Sequence, residues 1–297
     1  MTTDWSAWSA ELQDRISTDP RTAHTADLVV VQSGRLVHDA RLLPGDLRDC
    51  HAVTTTILAV LTGIAIDEGR LTVDDPVDCA GPDAATVRHV LTMTRGVNVR
   101  PDDIDDVTAM LHGWGDALRG VKRSWRPGSR FHYDAGAAHL LAIRLTEAFG
   151  DDLLAVARRH LFDPLGIGVV RWRADPEGFR VGHGHLEIAA TDLARLGRLV
   201  HEGGHGLVDP TWVTDMTTAW TKGGPPEGCG YGYLTWVTRD GWFMGGRAGQ
   251  HVSAFPDLDL VVVTTGDPSR LHPEWRPARA HVTEMVDAVR GPASTRG

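Results

Sequence analysis

The sequence predicts an α+β fold in which one antiparallel sheet is assembled from both ends of the chain, with flanking helices and a mainly helical subdomain between. Three observations lead there. Strand-like runs occupy residues 28–31 and 36–37, and a second set of closely spaced runs lies between 231 and 265. Helical periodicity dominates the stretch between them. Strands so closely spaced must pair antiparallel, because a parallel pairing needs a long crossover. With 297 residues, 42% hydrophobic and 23% charged, the chain can bury a large core and has ordinary globular composition. The expected division is a sheet subdomain from 1–48 and 228–297, a helical one from 49–227, and a pocket between them.

Taken in order, Trp5, Trp8, Leu12 and Ile16 recur at helical spacing over 4–17. Two strands follow, joined by a tight turn at Ser33-Gly34. Val53, Ile57, Leu61 and Ile64 share one face of a buried helix over 52–69, stopped at Gly69. A short helix covers 87–91. The run Pro101-Asp102-Asp103-Ile104-Asp105-Asp106 reads as a solvated acidic loop that starts a helix; it lacks the glycine and distal glutamate of a calcium loop. After the turn at Arg126-Pro127-Gly128, helices are predicted over 137–149, 153–161 and 192–200, the last stopped by Gly203-Gly204. Strands over 231–237, 242–244, 251–255 and 258–265 precede a closing helix over 277–289. Turns are expected at Arg239-Asp240-Gly241 and Pro256-Asp257.

Charge and cysteine usage exclude several classes of function. With 30 Lys+Arg against 39 Asp+Glu the net charge is -9, and Arg123, Arg126 and Arg130 are too interrupted to make a basic stripe. No nucleic-acid partner is expected. The opening Met1-Thr2-Thr3-Asp4-Trp5 lacks a basic segment followed by an apolar run, so no secretory leader is expected. No stretch approaches the roughly 18 continuous apolar residues of a membrane span. Cys50, Cys79 and Cys229 are odd in number and without metal spacing, which predicts free thiols and a cytoplasmic setting.

Several stretches then resemble landmarks of the serine β-lactamase and penicillin-binding-protein superfamily, in particular its class C β-lactamase-like and esterase branch. They are Gly63-Ile64-Ala65-Ile66-Asp67-Glu68-Gly69 with Asp74-Asp75-Pro76, then Val87-Arg88-His89-Val90-Leu91-Thr92-Met93-Thr94, then Pro127-Gly128-Ser129-Arg130-Phe131-His132-Tyr133. Further on come Leu161-Phe162-Asp163-Pro164-Leu165-Gly166-Ile167, Thr191-Asp192-Leu193-Ala194-Arg195-Leu196-Gly197 and Pro256-Asp257-Leu258-Asp259-Leu260-Val261. The resemblance implies the β-lactamase/transpeptidase-like fold. It also implies a Ser-x-x-Lys motif opening the buried helix, where a lysine would activate the serine. Counted back from Gly63, that serine falls on Ala52 and the lysine on Thr55. The family's Tyr-x-Asn falls on Tyr133-Asp134-Ala135, which keeps the tyrosine alone. Its Lys/His-x-Gly aligns with Arg247-Ala248-Gly249, ahead of Gln250; a guanidinium there cannot give up its proton at neutral pH.

An alanine cannot attack a carbonyl, so acyl-enzyme chemistry through the usual serine is expected to be absent. Thr54, Thr55 and Thr56 sit near a helix N-terminus, but first-turn hydroxyls usually bond their own backbone. Cys50 is a thiol that equally reads as a small buried apolar residue. Gly182-His183-Gly184-His185-Leu186 stands where the family has a small-residue loop lining its pocket, and imidazoles there would supply proton transfer near neutral pH. His201-Glu202-Gly203-Gly204-His205 matches a zinc-protease pattern, but that pattern needs a continuous helix through both histidines. Gly203-Gly204 breaks it, so no metal is expected.

The site expected from sequence has Tyr133 as general acid or base, Asp134, His183 and His185 as its partners, and Arg247 as the clamp for an anionic group. Gln250, Thr55, Ala52 and His51 complete the substrate-binding set. The function expected is non-covalent acid/base chemistry on a small molecule, by isomerisation, cyclisation, dehydration or water-mediated hydrolysis, in specialised-metabolite biosynthesis and without a cofactor. Two other readings stay open: an inactive small-molecule binding protein, and an esterase or acyltransferase using Thr54 or Cys50.

Overall fold

The computed structural model describes residues 3–79, 81, 83–100 and 102–291. Met1 and Thr2 of the opening segment and Pro101 of the acidic run lie outside them. The strands are β1 (Thr25–Gln32), β2 (Arg35–Arg41), β3 (Arg48–Asp49), β4 (Arg171–Trp172), β5 (Leu186–Ile188), β6 (Thr221–Gly224), β7 (Cys229–Tyr231), β8 (Trp236–Thr238), β9 (Gly241–Gly246), β10 (Gln250–Phe255) and β11 (Leu260–Gly266). Eight of them form one sheet in the order β2-β1-β11-β10-β9-β8-β7-β6, and every pairing is antiparallel. The sheet thus joins the two ends of the chain through β1 and β11, with Val29 opposite Val263. The small strands β3, β5 and β4 form a separate three-stranded sheet.

The apolar run in β1 is continuous because both of its faces are covered. Leu28 and Val30 pack with Trp8, Leu12, Val282 and Val286 of the terminal helices Trp5–Thr18 and Arg279–Arg290. Val29 and Val31 point the other way, into the larger core around the Val53–Asp67 helix. That helix is buried along almost its whole length, and Gly63 is needed where it crosses Trp212: a Cβ there would come within 2.4 Å of the indole. The helix Ala190–His201 packs on β1, β10 and β11. None of the helices among the described residues is long and apolar enough to cross a membrane.

Several expectations need correcting. The single strand over 231–237 is two, β7 and β8, separated by a turn in which Leu234 takes φ 49°. The helix over 153–161 is α-helical only over Leu153–Ala157 and continues as a wider π turn, Arg158–Phe162. The helices Trp114–Arg119 and Pro210–Thr217 and the three short strands were not foreseen, because segments this short carry little periodicity. Strand β6 also brings residues 221–224 into the sheet, ahead of the boundary expected at 228.

Candidate active site

A cavity of about 640 Å³ opens between the start of the Val53–Asp67 helix, the end of β9 and the loop carrying His183 and His185. Three close backbone approaches hold these segments together. Gly182 lies so near the Ala135–Phe149 helix that a Cβ would meet the Ala138 carbonyl oxygen at 2.2 Å. At Gly246 a Cβ would be 2.7 Å from the Cys50 carbonyl oxygen, and at Gly184 it would rest 3.6 Å from the His51 Cα. Glycine at 182 is therefore what lets the loop close on the Ala135–Phe149 helix, and glycine at 246 what lets β9 close on the start of the Val53–Asp67 helix.

Ala52 lines the cavity just ahead of the helix, together with His51. The hydroxyls after them do not. Thr55 Oγ1 donates to the Ala52 carbonyl (2.9 Å), Thr56 Oγ1 to Leu234 (2.7 Å), and Thr54 is fully buried against the Cys50 sulfur at 3.3 Å. Burial pushes the Cys50 thiol up to about 12, so it is no thiolate. The structure therefore removes Thr55 from the substrate-binding set and leaves Thr54 and Cys50 without access to the cavity.

The carboxylate that organises the histidines is Asp49, at the end of β3. Its Oδ1 accepts from the backbone N–H groups of His51 (2.8 Å) and His185 (3.1 Å). Its Oδ2 lies 3.2 Å from Nδ1 of His185 and 3.9 Å from Nδ1 of His51. Burial alone would raise the Asp49 carboxyl, but the imidazoles of His185 and His51 outweigh it and hold the group below its ordinary value. His185 takes φ 58° and His51 φ 47°, conformations uncommon outside glycine that turn both backbones toward this one carboxylate.

His183 lines the same wall, with its ring centroid 6.0 Å from that of His185 and 6.2 Å from that of His139. Burial first, then the neighbouring imidazoles, push it down to about 3, so it is neutral at neutral pH. His139 is fully buried behind it: Nδ1 accepts from the Gly182 N–H (3.3 Å) and Nε2 lies 3.0 Å from Asp175 Oδ2. Since Nδ1 accepts, the proton sits on Nε2 and is donated to Asp175.

Tyr133 also lines the cavity, its ring stacked on Trp236 at 6.0 Å. Burial, reinforced by Glu227 and Asp134, raises its phenol well above the usual value. It is therefore a donor at neutral pH and not a base. Arg247 lines the cavity with no ion pair among the described residues, and stands on the turn Arg247–Gly249 that links β9 to β10. Its positive charge is felt at His51.

Two further site expectations are corrected. Asp134 turns away from the cavity: its Oδ2 takes Arg95 Nε at 2.7 Å, with both side chains almost fully buried, and its Oδ1 caps the Ala135–Phe149 helix through the Ala137 N–H (3.1 Å). Gln250 is fully buried and donates through Nε2 to the Gly266 carbonyl (2.6 Å), away from the substrate space. The His201-Glu202-Gly203-Gly204-His205 segment ends its helix at His201, which pairs with Asp259 (2.7 Å), while His205 bonds Glu202. Asp102 and Asp105, read as solvated, line the cavity, as do Glu227 and His251.

The fold agrees with what the chain resembles. The Beta-lactamase family profile matches residues 18–284. The chain belongs to the Beta-lactamase family. Among solved structures, this β-lactamase-family chain is similar to the octameric penicillin-binding protein homologue from Pyrococcus abyssi, at 18% identity and TM-score 0.78, covering 97% of this chain and 78% of that one. It is similar to EstCE1, a hydrolase with promiscuous acyltransferase activity, at 16% identity and TM-score 0.77, over 97% and 100% of the two chains. SurE with D-Leu gives 23% identity and TM-score 0.74, over 95% and 75%. At these identities the likeness establishes the shared fold. No curated protein matches the chain.

Proposed function

We propose that this β-lactamase-family chain hydrolyses a small ester or amide without an acyl-enzyme, using a water activated by the Asp49–His185 pair. The observation that carries the reading is that pair on the cavity wall, beside a helix start whose hydroxyls and thiol are turned inward. A carboxylate facing Nδ1 favours the tautomer with the proton there and leaves Nε2 as the base. Nε2 takes a proton from water as the oxygen attacks the carbonyl carbon. The neutral Tyr133 phenol donates to the developing oxyanion. Collapse breaks the C–O or C–N bond, and the leaving group takes the proton held on His185, which returns the imidazole to its starting state. Arg247 holds an anionic group of the substrate. Asp49 thus takes the part that the sequence assigned to Asp134, and His183 supplies a neutral dipole. The free cysteines are in keeping with a cytoplasmic setting.

Hydrolysis of p-nitrophenyl acetate and butyrate, followed with intact-mass measurement after fluorophosphonate treatment, tests this. Turnover is expected to fall about 10²–10⁴-fold in His185→Ala and Asp49→Asn, with no covalent adduct on the wild type. A stable adduct on Thr54, Thr55 or Cys50 would overturn the water mechanism. Absence of turnover with ligand binding intact would instead favour a binding protein.

A further inference from the structure

The cavity has a second set of polar groups besides the Asp49–His185 pair. His251, at the start of β10, is 3% exposed and lines the cavity, yet neither ring nitrogen has a hydrogen-bond partner. Its Nε2 lies 3.9 Å from Glu227 Oε1, too far for a hydrogen bond between them. Buried imidazole nitrogens left unmatched are costly, so their persistence at a cavity wall calls for a group arriving from the cavity. The Glu227 side chain is 27% exposed and open to the same space. Trp275 lines the same cavity.

Charge says which group fits. The lining holds the carboxylates of Asp102, Asp105 and Glu227 and one guanidinium, Arg247. Glu227 is ionised at neutral pH: burial works against its charge, but His251 and the nearby Arg279 prevail. Arg279 does not occupy the cavity; its guanidinium is spread over the Phe243 ring at 3.6 Å. Arg247 acts on His51, and Glu227 acts on Tyr133. A hydroxyl could bridge His251 and Glu227, but it would leave the excess negative charge of the lining unanswered. An ammonium answers both, donating to the carboxylate and to an imidazole lone pair.

We propose that Glu227 and His251 form an ammonium subsite, so that the molecule bound here is zwitterionic, of amino-acid or short-peptide class, with its amine at these two residues and its carboxylate at Arg247. This deepens the hydrolytic reading and rests on the same cavity, but it concerns binding and can be tested apart from turnover.

The test uses the full-length protein and three equimolar dipeptide libraries: free, N-acetylated and C-amidated. Retention is read by native mass spectrometry. The free library is expected to be retained at least about tenfold better than either blocked one, the loss typical of one charge-assisted contact. In Glu227→Gln the penalty for N-acetylation should vanish while that for C-amidation remains; Arg247→Gln should do the reverse. His251→Gln, checked for an unchanged thermal midpoint, should weaken retention of the free library alone. His185→Ala should bind as wild type does, which separates failure of the chemistry from failure of this subsite. Equal retention of free and N-acetylated peptides by the wild type, or retention of none, would overturn the proposal.

Discussion

Removing the charge of Asp134 separates a supporting carboxylate from a reacting one. Its pair with Arg95 is 2.7 Å long, with side-chain exposures of 3% and 1%, and the Arg95 Nη1 is already committed to the Leu118 carbonyl at 2.9 Å. Taking one partner from a buried pair costs about 3–5 kcal/mol, because the remaining charge has no water to turn to. Asp134→Asn keeps an oxygen for the Ala137 N–H and should lose only that amount; Asp134→Ala should lose about 1 kcal/mol more with the helix cap. Arg95→Met combined with Asp134→Asn leaves no stranded charge, so its destabilisation should fall well short of the sum of the single changes. Urea unfolding of the four proteins gives the cycle, and turnover per folded molecule should stay within about threefold of wild type wherever the fold survives. Asp134→Asn that is as stable as wild type but inactive would refute this and return Asp134 to the chemistry.

His183 should make the protein acid-sensitive. Its imidazole is depressed from 6.5 to about 3, so the unfolded chain binds the extra proton between those values and stability declines as pH falls through that window. From pH 7 to 5 the loss from this one group is ~2 kcal/mol, and thermal melts of His183→Asn should show a pH slope reduced by that amount; an unchanged slope would refute the burial argument. Cys79 is exposed and Cys50 buried, so a thiol reagent at pH 8 should label Cys79 in the native protein and Cys50 only in denaturant. Labelling of native Cys50, mapped by mass, would put that thiol within reach of ligands. Gly182→Ala must push the histidine loop off the Ala138 carbonyl and should cost on the order of 2 kcal/mol together with most of the turnover. A wild-type melting midpoint would show that the loop is free to shift.

The sequence carried the fold because the signals for its long elements are redundant. The continuous valines of β1, the apolar face of the Val53–Asp67 helix and the Gly203-Gly204 stop each name an element without tertiary information. The cavity was partly legible: Ala52, His51, Tyr133, His183, His185 and Arg247 do line one space. Asp49 was not foreseen, although Asp-x-His at 49–51 is a spacing at which a carboxylate can reach back to a nearby imidazole. What sequence could not supply is that residue 185 folds onto the same oxygen atoms. The placement of Asp134 away from the cavity has a readable reason: an aspartate immediately before an alanine-rich helix is first of all a cap. Glu227 and His251 carry no local pattern, since the cavity they face is closed by segments far away in sequence.

Asp49 uses one oxygen to hold the backbones of two distant segments and the other to face their side chains. A change at residue 49 therefore acts in two places at once, freeing the backbone amides of residues 51 and 185 and removing the carboxylate that their imidazoles face. Side chain and loop cannot be altered separately at this point of the wall.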